Sequence, residues 1–267
     1  MEIINMQAAT GGIHSVVFDF DGTLSLIRKG WQEIMTPYFA EVLSGSPGGG
    51  SYETEYSCAK DFIDLLTGKQ TIYQCIRLNE EVVARGGESI EPLEYKNEYH
   101  RRLIEKIDYR RKGLADGSIK PVEYLVQGSV EIIEMLLGRG AEIYLASGTD
   151  EMYVVQEAGL LGLDKYFKGR IYGARDDYRL FSKAMVIRRI LEDNDLHGSM
   201  LAGFGDGYVE IENIKEAGGM AIGVATDEEK MEGIDEWKRA RLIKAGADVI
   251  IPDFTELAEI EKYLFGG

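Results

Sequence analysis

The sequence predicts an α/β protein: a doubly wound parallel sheet with an all-helical segment inserted into it. Three observations carry this. The wholly apolar run Val16 to Phe18 reads as a strand buried on both faces, as in a parallel sheet. Residues 122–267 alternate short apolar strands with helical patterns, which implies parallel strands joined by right-handed crossovers. Residues 28–121 carry helical patterns and no convincing strand. We therefore assign 1–27 plus 122–267 to the core and 28–121 to the insertion. An insertion directly after the first strand would overhang that strand's carboxyl end, so it is a cap by position.

Within the insertion, Ile27, Trp31, Ile34, Met35, Tyr38, Phe39 and Val42 recur at steps of three and four, one face of a helix. The flexible run Ser46 to Ser51, rich in glycine, ends that helix. Three more helices are expected over about 52–66, 71–85 and 93–112. In the core, helices are expected over 129–137, 151–160, 182–191, 209–217, 237–245 and 254–264. Strands are expected over 141–146, near 170–172, and over 200–204, 220–224 and 248–251.

Composition narrows the function. The chain has 267 residues and a formal net charge of −16. A surface this acidic repels phosphate backbones, so no nucleic-acid partner is expected. An anionic substrate would have to be met by a locally positive pocket or a metal. No run approaches the ~18 apolar residues of a membrane span, and the first fifteen residues lack the basic start and apolar centre of a signal peptide. The two cysteines, Cys58 and Cys75, read as small core thiols of a reducing compartment. A cytoplasmic location is expected, and the oligomeric state is left open.

The chemistry begins where the first strand ends, at Asp19-Phe20-Asp21-Gly22-Thr23. Residues two apart on a strand share a side, so Asp19 and Asp21 can face whatever binds at the strand's carboxyl end. Paired acids repel one another, so the pair needs a cation or a proton-transfer role. Ser147, Gly148 and Thr149 follow a strand and precede a helix, and offer either an anion-binding corner or a helix cap. Lys183 opens a helix, against the helix dipole. Asp206 sits at the next strand tip and Glu210 one turn into the following helix, both hard oxygen donors suited to Mg²⁺.

Taken in order, Asp19/Asp21/Thr23, Ser147, Lys183 and Asp206/Glu210 resemble the four motifs of the haloacid dehalogenase superfamily. The helical insertion resembles the cap of its phosphoglycolate phosphatase and β-phosphoglucomutase branch. Glu210 replaces the family's final Asp, a departure that keeps the charge and adds one methylene. The resemblance implies a phosphatase acting on a small phosphorylated metabolite, with Asp19 as nucleophile and Asp21 as acid and base. It implies Mg²⁺ at Asp19, Asp206 and the Asp21 backbone carbonyl, with Glu210 among the metal's carboxylates or orienting Lys183. Phosphate would be held by Ser147, Gly148, Lys183 and Thr23. A sugar phosphomutase is the nearest rival, and a non-enzymatic phosphate sensor a distant one. For the leaving group, Lys69 and Gln70, between two insertion helices, and Arg28, past the first motif, are the expected contacts.

Overall fold

The computed structural model describes residues 1–5, 12–175 and 177–266. The chain forms two compact units, Met1–Lys29 with Arg110–Gly267, and Gly30–Tyr109. Residues 28, 29 and 110–121 therefore belong with the α/β unit, where sequence reasoning had assigned them to the insertion. Arg110 shows why. Its guanidinium donates to the carbonyls of Ile27 at 2.7 Å and Lys29 at 2.9 Å.

The α/β unit is built on a seven-stranded sheet. Its strands are β1 (Glu2–Ile3), β2 (Ser15–Phe18), β3 (Glu142–Asp150), β4 (Ile171–Ala174), β5 (Leu201–Gly205), β6 (Met220–Val224) and β7 (Val249–Ile251). Their order is β1-β7-β6-β5-β2-β3-β4. All neighbouring pairs are parallel except β1 with β7. The antiparallel β1 is a departure from the all-parallel expectation. Two residues are too few to show a period of two, so nothing in the sequence announced it.

The register decides what the sheet presents. Phe18 lies level with Leu145 on one side and Phe204 on the other. The chain leaves β2 towards β3 and β4, then returns to β5 on β2's other flank. The carboxyl ends of β2 and β5 therefore form a topological switch point, where open α/β sheets bind ligands. The rings of Phe18 and Phe204 stack there, 4.9 Å apart and 8° from parallel, and Phe254 meets both edge-on. All three are 0–1% exposed.

The inserted unit contains α1 (Gln32–Ser44), α2 (Tyr52–Leu66), α3 (Thr71–Ala84) and most of α4 (Pro92–Asp116). Its polar interior is paired rather than bare. Glu55, 3% exposed, accepts from the Gly50 amide at 2.8 Å and pairs with Arg85 at 2.7 Å, tying the glycine run to two helices. Cys75 is buried and Cys58 half-buried, and neither forms a disulfide. The α/β unit adds α5 (Ser129–Gly138), α6 (Glu151–Leu160), α7 (Asp164–Phe167), α8 (Lys183–Asp193), α9 (Tyr208–Glu216), α10 (Glu236–Ala245) and α11 (Leu257–Phe265). Among the described residues, no helix is long and apolar enough to cross a membrane.

The aromatic cluster under β2 and β5 predicts a measurable cost. Phe18→Ala removes a fully buried ring that Phe167, Phe204 and Phe254 pack against, and should destabilise the protein by about 3–5 kcal/mol in urea unfolding. A loss under about 1 kcal/mol would show that other contacts hold the two strands in register.

Candidate active site

β2 ends at Phe18, and the backbone then turns sharply. The Asp19 amide still bonds to the Phe204 carbonyl at 2.9 Å, which fixes Asp19 at the sheet's edge. Beyond it, the amides of Leu24 and Ser25 both return to the Phe20 carbonyl at 2.9 Å. Gly22 lies in the left-handed region, φ +78°, which favours glycine. A Cβ there would also stand 2.2 Å from Asp206 Oδ2 and 3.0 Å from Glu228 Oε1. The Asp206 carboxylate is therefore packed directly on the first motif's backbone.

Asp19 is 7% exposed. Its Oδ1 accepts from the Phe20 amide at 2.7 Å and from Lys183 Nζ at 2.8 Å. Among the described residues both of these bonds fall on Oδ1. Burial pushes the Asp19 carboxyl well above the usual range, and the negative charges of Glu210 and Asp206 push the same way, while Lys183 opposes them. Lys183 begins α8, capped by the Ser182 hydroxyl, which accepts from the Met185 amide at 3.1 Å. Burial alone would lower Lys183, but Asp19 and Glu210 outweigh it and raise the ammonium above an ordinary lysine. The lysine's place in a first helical turn is thus explained by its two carboxylate partners, Asp19 and Glu210.

Asp21 faces a different set of groups. Its Oδ2 accepts from Thr149 Oγ1 at 2.8 Å, and Ser147 Oγ lies at 3.5 Å. Its Oδ1 is buried and accepts no hydrogen bond among the described residues, with Arg28 Nε 3.9 Å away. Burial raises Asp21 to about 6, partly offset by Arg28. An acid raised in this way keeps its proton to a higher pH than an ordinary aspartate. Arg28 is itself held by a bidentate pair with Glu157, at 2.9 and 2.8 Å. Arg28 is 5% exposed and Glu157 0%.

Several expectations change here. β3 runs through Asp150, four residues beyond the expected strand, so Ser147, Gly148 and Thr149 lie within its irregular end, directly before α6. The Thr149 amide is taken by Ser147 Oγ at 3.0 Å, and the Thr149 hydroxyl, rather than Ser147, is the closer partner of Asp21. Glu210 pairs with Lys183, which agrees with the second of the two roles expected for it. Arg28, expected to meet the leaving group, belongs to the α/β unit and is committed to Glu157. Within the inserted unit, Lys69 is exposed and lies 5.9 Å from the Tyr73 ring centre, while Gln70 is 7% exposed and directly precedes α3. Thr23 is wholly buried, and its hydroxyl has no hydrogen-bond partner among the described residues.

Sequence reasoning missed Glu157, Glu228 and Lys238. Lys238 Nζ lies 2.8 Å from Asp206 and 2.5 Å from Glu228. Two of the three left a readable trace. Glu157 sits beside Ala158 and three residues after Val154 on α6's buried face, and Lys238 lies one turn before the buried Leu242 on α10. A charge placed on an apolar stripe requires a buried partner. Glu228 lies in a loop and left no such trace.

The donor chemistry fits Mg²⁺. Asp19, Asp206, Glu210 and Glu228 are four carboxylates balanced by two lysines, which leaves the charge that one divalent cation would neutralise. Among the described residues no three acidic, histidine or cysteine side chains close around a common point. Mg²⁺ suits such an open arrangement, since it takes one or two carboxylates and keeps waters and phosphate oxygens.

Similar structures share this architecture at low sequence identity. A protein described as a predicted phosphoglycolate phosphatase, from Haemophilus somnus, matches with a TM-score of 0.61 and 15% identity, over 94% of this chain and 99% of that one. A β-phosphoglucomutase from Clostridium difficile matches with a TM-score of 0.60 and 13% identity, over 93% and 96%. A haloacid dehalogenase hydrolase of family IA, variant 3, from Entamoeba histolytica matches with a TM-score of 0.59 and 19% identity, over 91% and 95%. The chain has the haloacid dehalogenase fold. No family model matches it. A 5′-nucleotidase from Pseudomonas aeruginosa is 24% identical over 210 residues, 79% of this chain and 81% of that protein. In the haloacid dehalogenase fold adopted here, the four expected motifs converge on the switch point between β2 and β5.

Gly22 provides a sharp test of that convergence. Gly22→Ala forces φ strain and drives a methyl into the Asp206 carboxylate, so turnover should fall about a hundredfold or more while the fold persists. Near wild-type turnover in a folded Gly22→Ala variant would show that Asp206 need not rest on this loop.

Proposed function

We propose that the protein is a phosphatase that hydrolyses a small phosphomonoester through an aspartyl-phosphate on Asp19. The observation that carries this reading is the different setting of two aspartates two residues apart. Asp19 is held by Lys183 through Oδ1 with Oδ2 left for attack, while Asp21 lies against the Thr149 and Ser147 hydroxyls with its buried Oδ1 accepting no hydrogen bond among the described residues, and burial raises it to about 6. A nucleophile fixed in place beside an acid able to give and take a proton is what phosphate-ester cleavage needs. The phosphatases and phosphomutase that share the fold lend support.

In the first step Asp19 Oδ2 bonds to phosphorus as the bond to the leaving oxygen breaks. Asp21 gives that oxygen its proton. In the second step Asp21, now a carboxylate, takes a proton from water as the water's oxygen bonds to phosphorus. The acyl-phosphate bond breaks, which frees phosphate and restores the Asp19 carboxylate. Lys183 keeps Asp19 aimed and supplies positive charge, and Glu210 keeps Lys183 in place. Ser147, Thr149 and the buried hydroxyl of Thr23 are suited to phosphate oxygens. Bound by Asp19 and Asp206, Mg²⁺ would neutralise the charge between the carboxylate nucleophile and the phosphate. Lys69, exposed in the inserted unit, is our candidate for the leaving group's polar contact.

Phosphate release from a panel of sugar phosphates, phosphoglycolate and nucleoside 5′-monophosphates tests this reading. The last class enters because of the 5′-nucleotidase relative. Release should be lost on chelation and abolished in a folded Asp19→Asn variant. Conversion of a sugar phosphate to its isomer, with little free phosphate, would favour the mutase reading that the β-phosphoglucomutase neighbour keeps open.

The acid has its own signature. Since Asp21 acts protonated, kcat/KM for an alkyl phosphate should decline as pH rises through about 6. Asp21→Asn should remove that limb and slow alkyl phosphates by about a hundredfold or more, while p-nitrophenyl phosphate, whose leaving group needs no proton, suffers far less. Equal losses on both substrates would assign Asp21 a structural role.

A further inference from the structure

Lys238 is 8% exposed, on the first turn of α10, and no catalytic step described above uses it. Its Nζ bonds Asp206 Oδ2 at 2.8 Å and Glu228 Oε1 at 2.5 Å. These are the same two oxygens that crowd Gly22. The ammonium therefore stands beside the Asp-x-Asp-Gly turn, on the carboxylate that the proposed reaction assigns to the cation.

We infer that Lys238 is the resident counter-ion of this corner: it neutralises Asp206 and Glu228 when no divalent cation is bound, and a cation must displace it from Asp206. The inference rests on the reading of Asp206 as a cation ligand. Two positive groups on one carboxylate oxygen repel each other, so cation binding requires the ammonium to withdraw. Lysine's flexible four-carbon stem permits that. Glu228 gives the withdrawn ammonium a partner, so it need not be left bare in a buried site. The device has two consequences. The cation-free protein avoids repulsion between Asp206 and Glu228, and the cation binds more weakly than the carboxylates alone would allow.

Mg²⁺-linked thermal unfolding without substrate tests this, from excess chelator to saturating MgCl₂. The proteins compared are wild type, Lys238→Met, Lys238→Gln and Lys244→Met. Lys244 is exposed on the same helix and controls for the change in charge. Both Lys238 variants should melt below wild type in chelator, and the gap should close as Mg²⁺ saturates. Their Mg²⁺ midpoints should be lower by roughly tenfold or more, while Lys244→Met keeps the wild-type midpoint.

A melting deficit that stays constant across all Mg²⁺ concentrations would make Lys238 purely structural and overturn the inference. So would an unchanged or higher midpoint. Failure of both variants to fold even in saturating Mg²⁺ would also count against it, because the metal should replace the missing charge. If wild type shows a Mg²⁺-linked shift but the variants do not differ from it, only the role of Lys238 fails. If neither wild type nor variants respond to Mg²⁺, the cation reading of Asp206 fails and takes this inference with it.

Discussion

The constraint on which the rest depends is the crowding of carboxylates where β2 and β5 end. Asp19 and Glu210 lie together there, and Asp206 and Glu228 lie together beside the Gly22 turn. Like charges this close cannot all stay ionised without cations among them. The fold answers with two lysines brought from different helices. Lys183, on α8, bridges Asp19 and Glu210, and Lys238, on α10, bridges Asp206 and Glu228. Each lysine lies between two acids, so removing either would leave uncompensated charge at low exposure, an expensive state.

The backbone makes this crowding achievable. Pairing Phe18 with Phe204 sets the ends of β2 and β5 level, and the stacked rings keep them so. Two glycines then permit close approach. Gly22 accepts the Asp206 carboxylate against its α-carbon, and a Cβ at Gly205 would stand 2.6 Å from Glu210 Cβ. Side chains at either position would push an acid out of reach of its lysine.

The two aspartates of the first motif differ by environment, not by kind. Asp19 lies against a lysine that orients it. Asp21 lies against hydroxyls, with Arg28 at a distance and Glu157 holding that arginine back. Burial raises both carboxyls, so what separates them is the partner each is given, a lysine for Asp19 and hydroxyls for Asp21. Glu157 matters here because an unpaired Arg28 would be drawn to Asp21 and would favour its ionised form.

Much of this was legible in the sequence, and the reason is local. Strand apolarity, helical periodicity and the spacing of Asp19 and Asp21 depend on near neighbours in the chain, so the parallel core and the helical insertion could be read from pattern alone. The four motif positions were also readable, because each lies at a strand end or a helix start. What the sequence could not carry was pairing at long range. Lys238 meets Asp206, Arg28 meets Glu157, and Thr149 rather than Ser147 is closer to Asp21; each depends on register and helix placement. The boundary of the insertion moved for the same reason, since Arg110 finds its carbonyl partners 83 and 81 residues earlier in the chain. The sequence by itself marked Asp19, Asp21, Lys183, Asp206 and Glu210 as candidates and gave the local pattern that places them at strand ends and helix starts. Only the tertiary structure decided which charge answers which, because that choice is made by distance in space and not by distance along the chain.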